Sequence, residues 1–159
     1  MKLYIINGPN LNLLGIREMS IYGSQTYEQL VSFVRGVCER EGIEAECFQS
    51  NHEGALVDII QSAYNRADGI VINPAAFAHT SIAILDALKA VSLPAVEVHL
   101  SDINQREAFR RVSYPAMACA ATYCGMGFEG YEKAVLHLKK LAESGRQNKK
   151  PADNQTGLL

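Results

Sequence analysis

The chain predicts an α/β fold, a three-layer sandwich built around a parallel sheet of five strands. Three observations carry that expectation. Short apolar runs rich in β-branched residues recur through the sequence, stretches with helical apolar spacing separate them, and glycine and proline mark the joints. Strands that alternate with helices close into right-handed βαβ crossovers, and the parallel sheet they form is covered on both faces.

The first strand is expected at residues 2–6, where Lys2-Leu3-Tyr4-Ile5-Ile6 runs into the turn residues Asn7-Gly8-Pro9. The first long helix, 26–41, shows its apolar stripe at Leu30, Val31, Phe33, Val34 and Val37. A strand at 45–48, a helix at 53–67, a strand at 69–72 and a helix at 81–91 follow. The last two strands fall at 95–98 and 116–122, and a final helix, 131–143, begins after Gly130. Five such units suggest a flavodoxin-like sandwich with strand order 2-1-3-4-5. From Ser144 the apolar periodicity stops, so the expected division is one catalytic domain over 1–143 and a disordered polar tail over 144–159. No internal repeat is visible.

A chain of 159 residues that is 48% hydrophobic and 20% charged is sized for one domain with a substantial core. Its formal charge of −2 offers no basic excess for phosphates, so a small molecule is the expected partner rather than nucleic acid. The opening apolar run is too short for a signal peptide or a membrane span, which points to a cytoplasmic protein with no membrane partner. Cys38, Cys47, Cys119 and Cys124 form no CxxC pair and have no histidine at zinc spacing. They read as reduced structural thiols, with no metal expected.

In an open parallel sheet, ligands bind beyond the carboxyl ends of the strands, where strand order reverses. Three loops bring unusual polar residues to that edge. The first strand leads through Gly8-Pro9 to Asn10, Arg17 and Tyr22, the third leads into Asn73-Pro74 and His79-Thr80-Ser81, and the fourth ends in Glu97-Val98-His99-Leu100-Ser101. Glu97 and His99 are two apart, so they share a strand face, and a carboxylate there can orient the imidazole and favour its protonated form. That makes His99 a candidate general acid; a salt-bridged surface pair is the other reading. A tyrosine, with a reference pKa of about 10, is a poor base unless nearby positive charge assists it. Arg17, Arg106 and Arg110 are the available cations for Tyr22, and the last two share a face if their stretch is helical. An ordinary loop tyrosine and solvated arginines are the plain alternatives. His79, just ahead of a helix start, is either a contact for a ligand hydroxyl or a cap, and Asp86 lies two turns further along. Gly125-Met126-Gly127-Phe128-Glu129-Gly130 matches the dinucleotide pattern, but no further strand with an acid follows, so tight turning before the last helix explains it.

These motifs in this order, GPNLNLLGIRE with YG after it, NP with HTS and Asp86 beyond, EVHLS, REAFR with SY, and GMGFEGY, closely resemble type II 3-dehydroquinate dehydratase over residues 2–143. The resemblance implies a hydro-lyase without metal or cofactor that dehydrates 3-dehydroquinate to 3-dehydroshikimate through an enolate, in the shikimate or the quinate pathway. It further implies Tyr22 as base with Arg17 and Arg106 favouring its phenolate, and Asn10 holding a water at the enolate oxygen. His99, oriented by Glu97, would be the acid. Asn73, His79 and Arg110 would bind substrate hydroxyls, and the amides of Leu100 and Ser101 the carboxylate. Trimers assembling to a dodecamer are implied as well, with Asp86 reaching a neighbour's site, and the loop after strand one is implied to be a lid.

Departures from the pattern are Met19 for a usual proline, Ala75 for a usual glycine, and Phe77, Ala78, Leu85 and Val112 where tyrosine, threonine, arginine and histidine are expected. None removes a proposed catalytic group. The unrelated Schiff-base route to the same product needs a buried lysine, and the lysines here open a strand, end a helix or crowd the last helix and tail. A flavin-binding or signalling module would need a phosphate-binding loop after strand one or a cluster of acids, and neither is present. A family member retained only for binding stays open, on the strength of Ala75.

Overall fold

The computed structural model describes residues 1–147. Its strands are β1 (Lys2–Asn7), β2 (Glu44–Gln49), β3 (Gly69–Asn73), β4 (Ala95–His99) and β5 (Ala121–Cys124). All pair in parallel, in the order β2-β1-β3-β4-β5 expected from the sequence. The helices are α1 (Met19–Tyr22), α2 (Tyr27–Arg40), α3 (Glu53–Ser62), α4 (Ile82–Val91) and α5 (Glu129–Gln147).

The pleat divides the core in two. Leu3, Ile5, Val71, Val96 and Val98 face α2 and α5, where they meet Leu30, Val34, Tyr131 and Leu138. Tyr4, Ile6, Ile70 and Ile72 face α3 and α4, meeting Leu56, Ile60, Ile84 and Leu88. Each of these side chains contributes about 1.5–3 kcal/mol by leaving water. Helix starts are set by short polar caps. Thr26 and Gln29 form a reciprocal capping box ahead of α2, and Ser81 Oγ accepts from the Ile84 amide ahead of α4.

The structure corrects several boundaries. The apolar run at 116–122 is not one strand. Pro115, with its fixed φ, opens a 3₁₀ turn over Pro115–Ala118 that packs on α4, and pairing with β4 begins only once Ala120 donates to the Ala95 carbonyl at 2.8 Å. Helix α3 stops at Ser62, giving way to turns through Asn65, whose φ is 59°. Helix α5 starts two residues before Tyr131 and continues through Gln147, where a disordered tail was expected from Ser144. Apolar periodicity reports a buried face, and the last turns of α5 are exposed, so that signal ends before the helix does. The remainder of the expected tail, 148–159, lies outside the described residues.

No described helix is long and apolar enough to cross a membrane. Among the described residues, the buried polar and charged side chains are Asn7, Asn73, Ser81, Glu97 and His99. Four of them close the carboxyl ends of β1, β3 and β4, and the fifth caps the helix that follows β3. Polar groups are buried only where they are hydrogen-bonded, so this edge of the sheet is the part of the molecule to account for.

Candidate active site

A cavity of about 150 Å³ opens over that edge. Its wall includes Asn10, Arg17, Tyr22, Asn73, Ala75, His79, His99, Leu100, Ser101, Arg106 and Arg110, drawn from the loops after β1, β3 and β4.

The loop after β1 is tied down at its root. Gly8 donates to the Asn73 carbonyl at 2.7 Å, and a Cβ at Gly8 would lie 2.5 Å from the Pro74 oxygen, so only glycine lets the two loops meet. Asn10 takes a left-handed backbone, φ 68°, and its amide donates to Asn51 Oδ1 at 2.9 Å. Gln49 braces the same turn by donating to the Gly8 carbonyl and to Asn51 Oδ1. Beyond the 3₁₀ turn Leu11–Leu13, the buried side chains of Leu11 and Leu14 anchor the segment to the core, whereas Ile16 and Met19 project into solvent. Tyr22 then ends α1 between two cations. Arg106 Nη1 donates to its hydroxyl at 3.2 Å, and the Arg17 guanidinium lies 4.6 Å from the ring centroid. The hydrogen bond to Tyr22 is the chief reason that the Arg106 pKa rises above its ordinary value.

Strand β4 supplies the second group. Glu97 and His99 share a face, and His99 Nε2 sits 2.5 Å from Glu97 Oε1. Glu97 is wholly buried, and Ser113 donates to the same oxygen at 2.7 Å. With Nε2 committed to the carboxylate, Nδ1 is the ring nitrogen left to serve a ligand, and it carries a proton only when the ring is charged. Glu97 and His99 thus form the carboxylate-oriented imidazole expected from their spacing, and their burial sets aside the surface ion pair that was its alternative. Beyond His99 the chain turns under the glycine loop. The carbonyls of His99 and Leu100 accept from Gly125 and Gly127, both in positive φ, so the amides of Leu100 and Ser101 in the same planar peptides point the opposite way.

On the third loop, Asn73 Oδ1 accepts from the Ala75 amide at 3.1 Å and Asn73 Nδ2 donates to the buried Tyr131 hydroxyl at 3.0 Å. Ala75 has φ 51°, which accounts for the glycine expected there and costs an alanine about 1–2 kcal/mol. His79 Nδ1 lies 2.7 Å from the Val112 carbonyl, which can only accept, so Nδ1 holds the proton and Nε2 is the free position. Its ring stacks on that of His99, with 6.5 Å between centroids.

Two geometric expectations fail. Arg106 and Arg110 do not lie on one helix, because two 3₁₀ turns, Ile103–Gln105 and Ala108–Arg110, place them; both nevertheless reach the cavity. His79 and Asp86 are likewise on separate elements, since His79 ends the 3₁₀ turn Ala75–His79, and Asp86 sits exposed on α4, away from this cavity. Glu97 stands behind His99 rather than in the wall. Leu85 and Ala78 are buried and line no part of the cavity. Ser113, Gln49, Asn51 and Tyr131 support the site without having been singled out. For Gln49 and Asn51, the polar cluster Gln49-Ser50-Asn51-His52 directly after a strand was a signal; Ser113 and Tyr131 lie inside the motifs SY and GMGFEGY, but their partners are far away in the chain and no local spacing shows the contacts.

The four cysteines are unpaired. Burial pushes the thiols of Cys38 and Cys124 up to about 11 and that of Cys119 up to about 12, which keeps them protonated and inert. Among the described residues, no group of His, Cys, Asp and Glu is placed to hold a metal ion.

Comparison with known proteins agrees on one family. Residues 1–139 match the family described as Dehydroquinase class II. The 3-dehydroquinate dehydratase of Clostridium acetobutylicum is 52% identical over 141 residues, covering 89% of this chain and 98% of the relative. That of Bacillus cereus is 49% identical over 144 residues, covering 90% and 99%. The crystal structure of the type II dehydroquinase from Butyrivibrio crossotus superimposes with a TM-score of 0.86 at 51% identity, over 87% of this chain and 97% of that one.

The shared oxygen on Glu97 makes Ser113 measurable. Ser113→Ala removes one donor from a buried carboxylate and is expected to lower stability by about 2 kcal/mol in urea denaturation. A midpoint unchanged from the parent would mean that the serine does not support Glu97.

Proposed function

The chain belongs to the class II dehydroquinase family, and from that membership we propose that it is a hydro-lyase converting 3-dehydroquinate to 3-dehydroshikimate in the shikimate pathway, with Tyr22 as base and His99 as acid. The observation that carries this reading is a phenol contacted by two guanidiniums in the same cavity as an imidazole held by a buried carboxylate.

The phenolate of Tyr22 takes the proton from the carbon beside the ketone, and the electron pair moves onto the ketone oxygen as an enolate. Arg17 and Arg106 stabilise negative charge on the phenol oxygen before transfer, and Arg17 also stabilises the transition state. Asn10 holds the water that donates to the enolate oxygen. The enolate collapses, the carbon–oxygen bond to the leaving hydroxyl breaks, and charged His99 delivers its proton to make water. Tyr22 is then protonated and His99 neutral, and one proton passed between them through solvent resets the site. Glu97 acts through His99 by fixing its ring. Asn73, His79 through Nε2, and Arg110 take the substrate hydroxyls, and the outward amides of Leu100 and Ser101 take the carboxylate. No lysine is among the cavity-lining side chains described, which disfavours a Schiff-base route.

The same reading makes the enzyme cytoplasmic, which suits four unpaired cysteines, and oligomeric, with trimers assembling to a dodecamer. Phe109, Val112 and Met117 expose large apolar side chains, and Asp86 is exposed and lines no part of its own cavity, so a neighbouring copy could use it. Sedimentation as a monomer at micromolar concentration would remove this part of the proposal.

Purified protein mixed with 3-dehydroquinate and a metal chelator is expected to show the rising ultraviolet absorbance of the conjugated enone. Tyr22→Phe should reduce kcat by roughly 10²–10⁴-fold while ligand binding is largely kept; parent-like turnover in that variant would rule out the base assignment. His99→Ala should slow dehydration far more than it slows exchange of the substrate's alpha proton with solvent. Equal effects on both rates would contradict its role as acid.

A further inference from the structure

We infer that Tyr131 is a positioning residue for ligand binding: its buried hydroxyl, itself held by Asn7, orients the Asn73 carboxamide so that an N–H group faces the cavity. The inference rests on reading Asn73 as a ligand contact.

The orientation follows from counting donors. The backbone amide of Ala75 can only donate, so the Asn73 atom 3.1 Å away is Oδ1. Nδ2 is then the branch 3.0 Å from Tyr131 Oη and must donate to it. Tyr131 has one proton, which goes to Asn7 Oδ1 at 2.7 Å. Nδ2 carries two hydrogens and has used one, which leaves the second for whatever occupies the cavity that Asn73 lines.

Turning the carboxamide over would set Nδ2 against the Ala75 amide, donor against donor. It would also force the Tyr131 proton towards Asn73 and strip Asn7 of its partner. Two buried hydrogen bonds would be lost at once, so the chain of contacts admits one orientation.

The placement follows from the fold. Asn7 and Asn73 are register partners on adjacent strands and share the face that carries Leu3, Ile5 and Val71, the face covered by α5. Tyr131, in the first turn of α5, is wholly excluded from solvent, and its hydroxyl reaches both asparagines. Packing there would be served equally by phenylalanine; the hydroxyl is explained only by the two amides. Burial also pushes the phenol pKa upward, so the group stays a donor across the working pH range.

The test uses the full chain with Tyr131→Phe, Asn73→Ala and the double variant, followed by steady-state kinetics with 3-dehydroquinate. Tyr131→Phe is expected to raise KM by about tenfold with a smaller effect on kcat, and to add less than about twofold to KM in the Asn73→Ala background. An undiminished effect in that background, or a parent-like KM in folded Tyr131→Phe, overturns the inference. Should Tyr131→Phe fail to fold, Asn7→Ala frees the Tyr131 proton while keeping the ring, and the same loss of effect in the Asn73→Ala background decides the question. A readout independent of turnover separates this from the proposed activity. Hydrogen exchange of the Asn73 side-chain amide, followed by NMR, should quicken by about tenfold in Tyr131→Phe or Asn7→Ala. Unchanged exchange overturns the inference even in an active enzyme, whereas an inactive parent with quickened exchange overturns the activity and not the orientation.

Discussion

Side chains alternate between the two faces of a strand, and that parity decides which chemistry each strand can deliver to the edge of this sheet. On β1 and β3, the residues that end the strands, Asn7 and Asn73, are in step with Leu3, Ile5 and Val71 and so meet α5 and its tyrosine. On β4, Glu97 and His99 are in step with Ala95 and out of step with Val96 and Val98, so they meet the opposite layer and Ser113. One cavity is thus supplied from both faces: a hydrogen-bonded amide from one side and an oriented imidazole from the other. A one-residue slip of β4 against β3 would carry Glu97 and His99 to the other face and lose the oriented imidazole.

Rigidity at the roots and exposure at the tips divide the work within the loop after β1. Gly8 is locked against Pro74, and Asn10 is pinned by Asn51, while Ile16 and Met19 lie open to solvent and Tyr22 rests between two arginines. The strained backbone at Ala75 belongs to the same arrangement. A left-handed residue there lets the amide return to Asn73 Oδ1, and the cost of placing alanine in that conformation is offset by the contacts it completes.

The buried carboxylate of Glu97 has a comparable logic. A charge excluded from water is expensive unless it is hydrogen-bonded, and here His99 and Ser113 converge on Oε1 while Oε2 is buried without a partner among the described residues. The pair commits Nε2 of the imidazole and leaves Nδ1 as its open nitrogen.

By itself the sequence determined the α/β class, the loops that line the cavity and the family, because apolar periodicity and contiguous motifs such as GPNLNLLGIRE and EVHLS are local properties of the chain, whereas the strand order followed from the habit of the fold class and was met by the structure. The ends of β5, α3 and α5 were less legible, since a proline turn can interrupt an apolar run and a helix can outlast its buried face. Only the tertiary structure decided that Arg106 reaches Tyr22 across 84 residues, that Tyr131 lies between Asn7 and Asn73, that Ser113 supports Glu97, and that Asp86 lines no part of its own cavity. Those contacts join residues far apart in the chain, and hydrogen bonds at 3 Å depend on the packing of whole layers rather than on any spacing written along one segment.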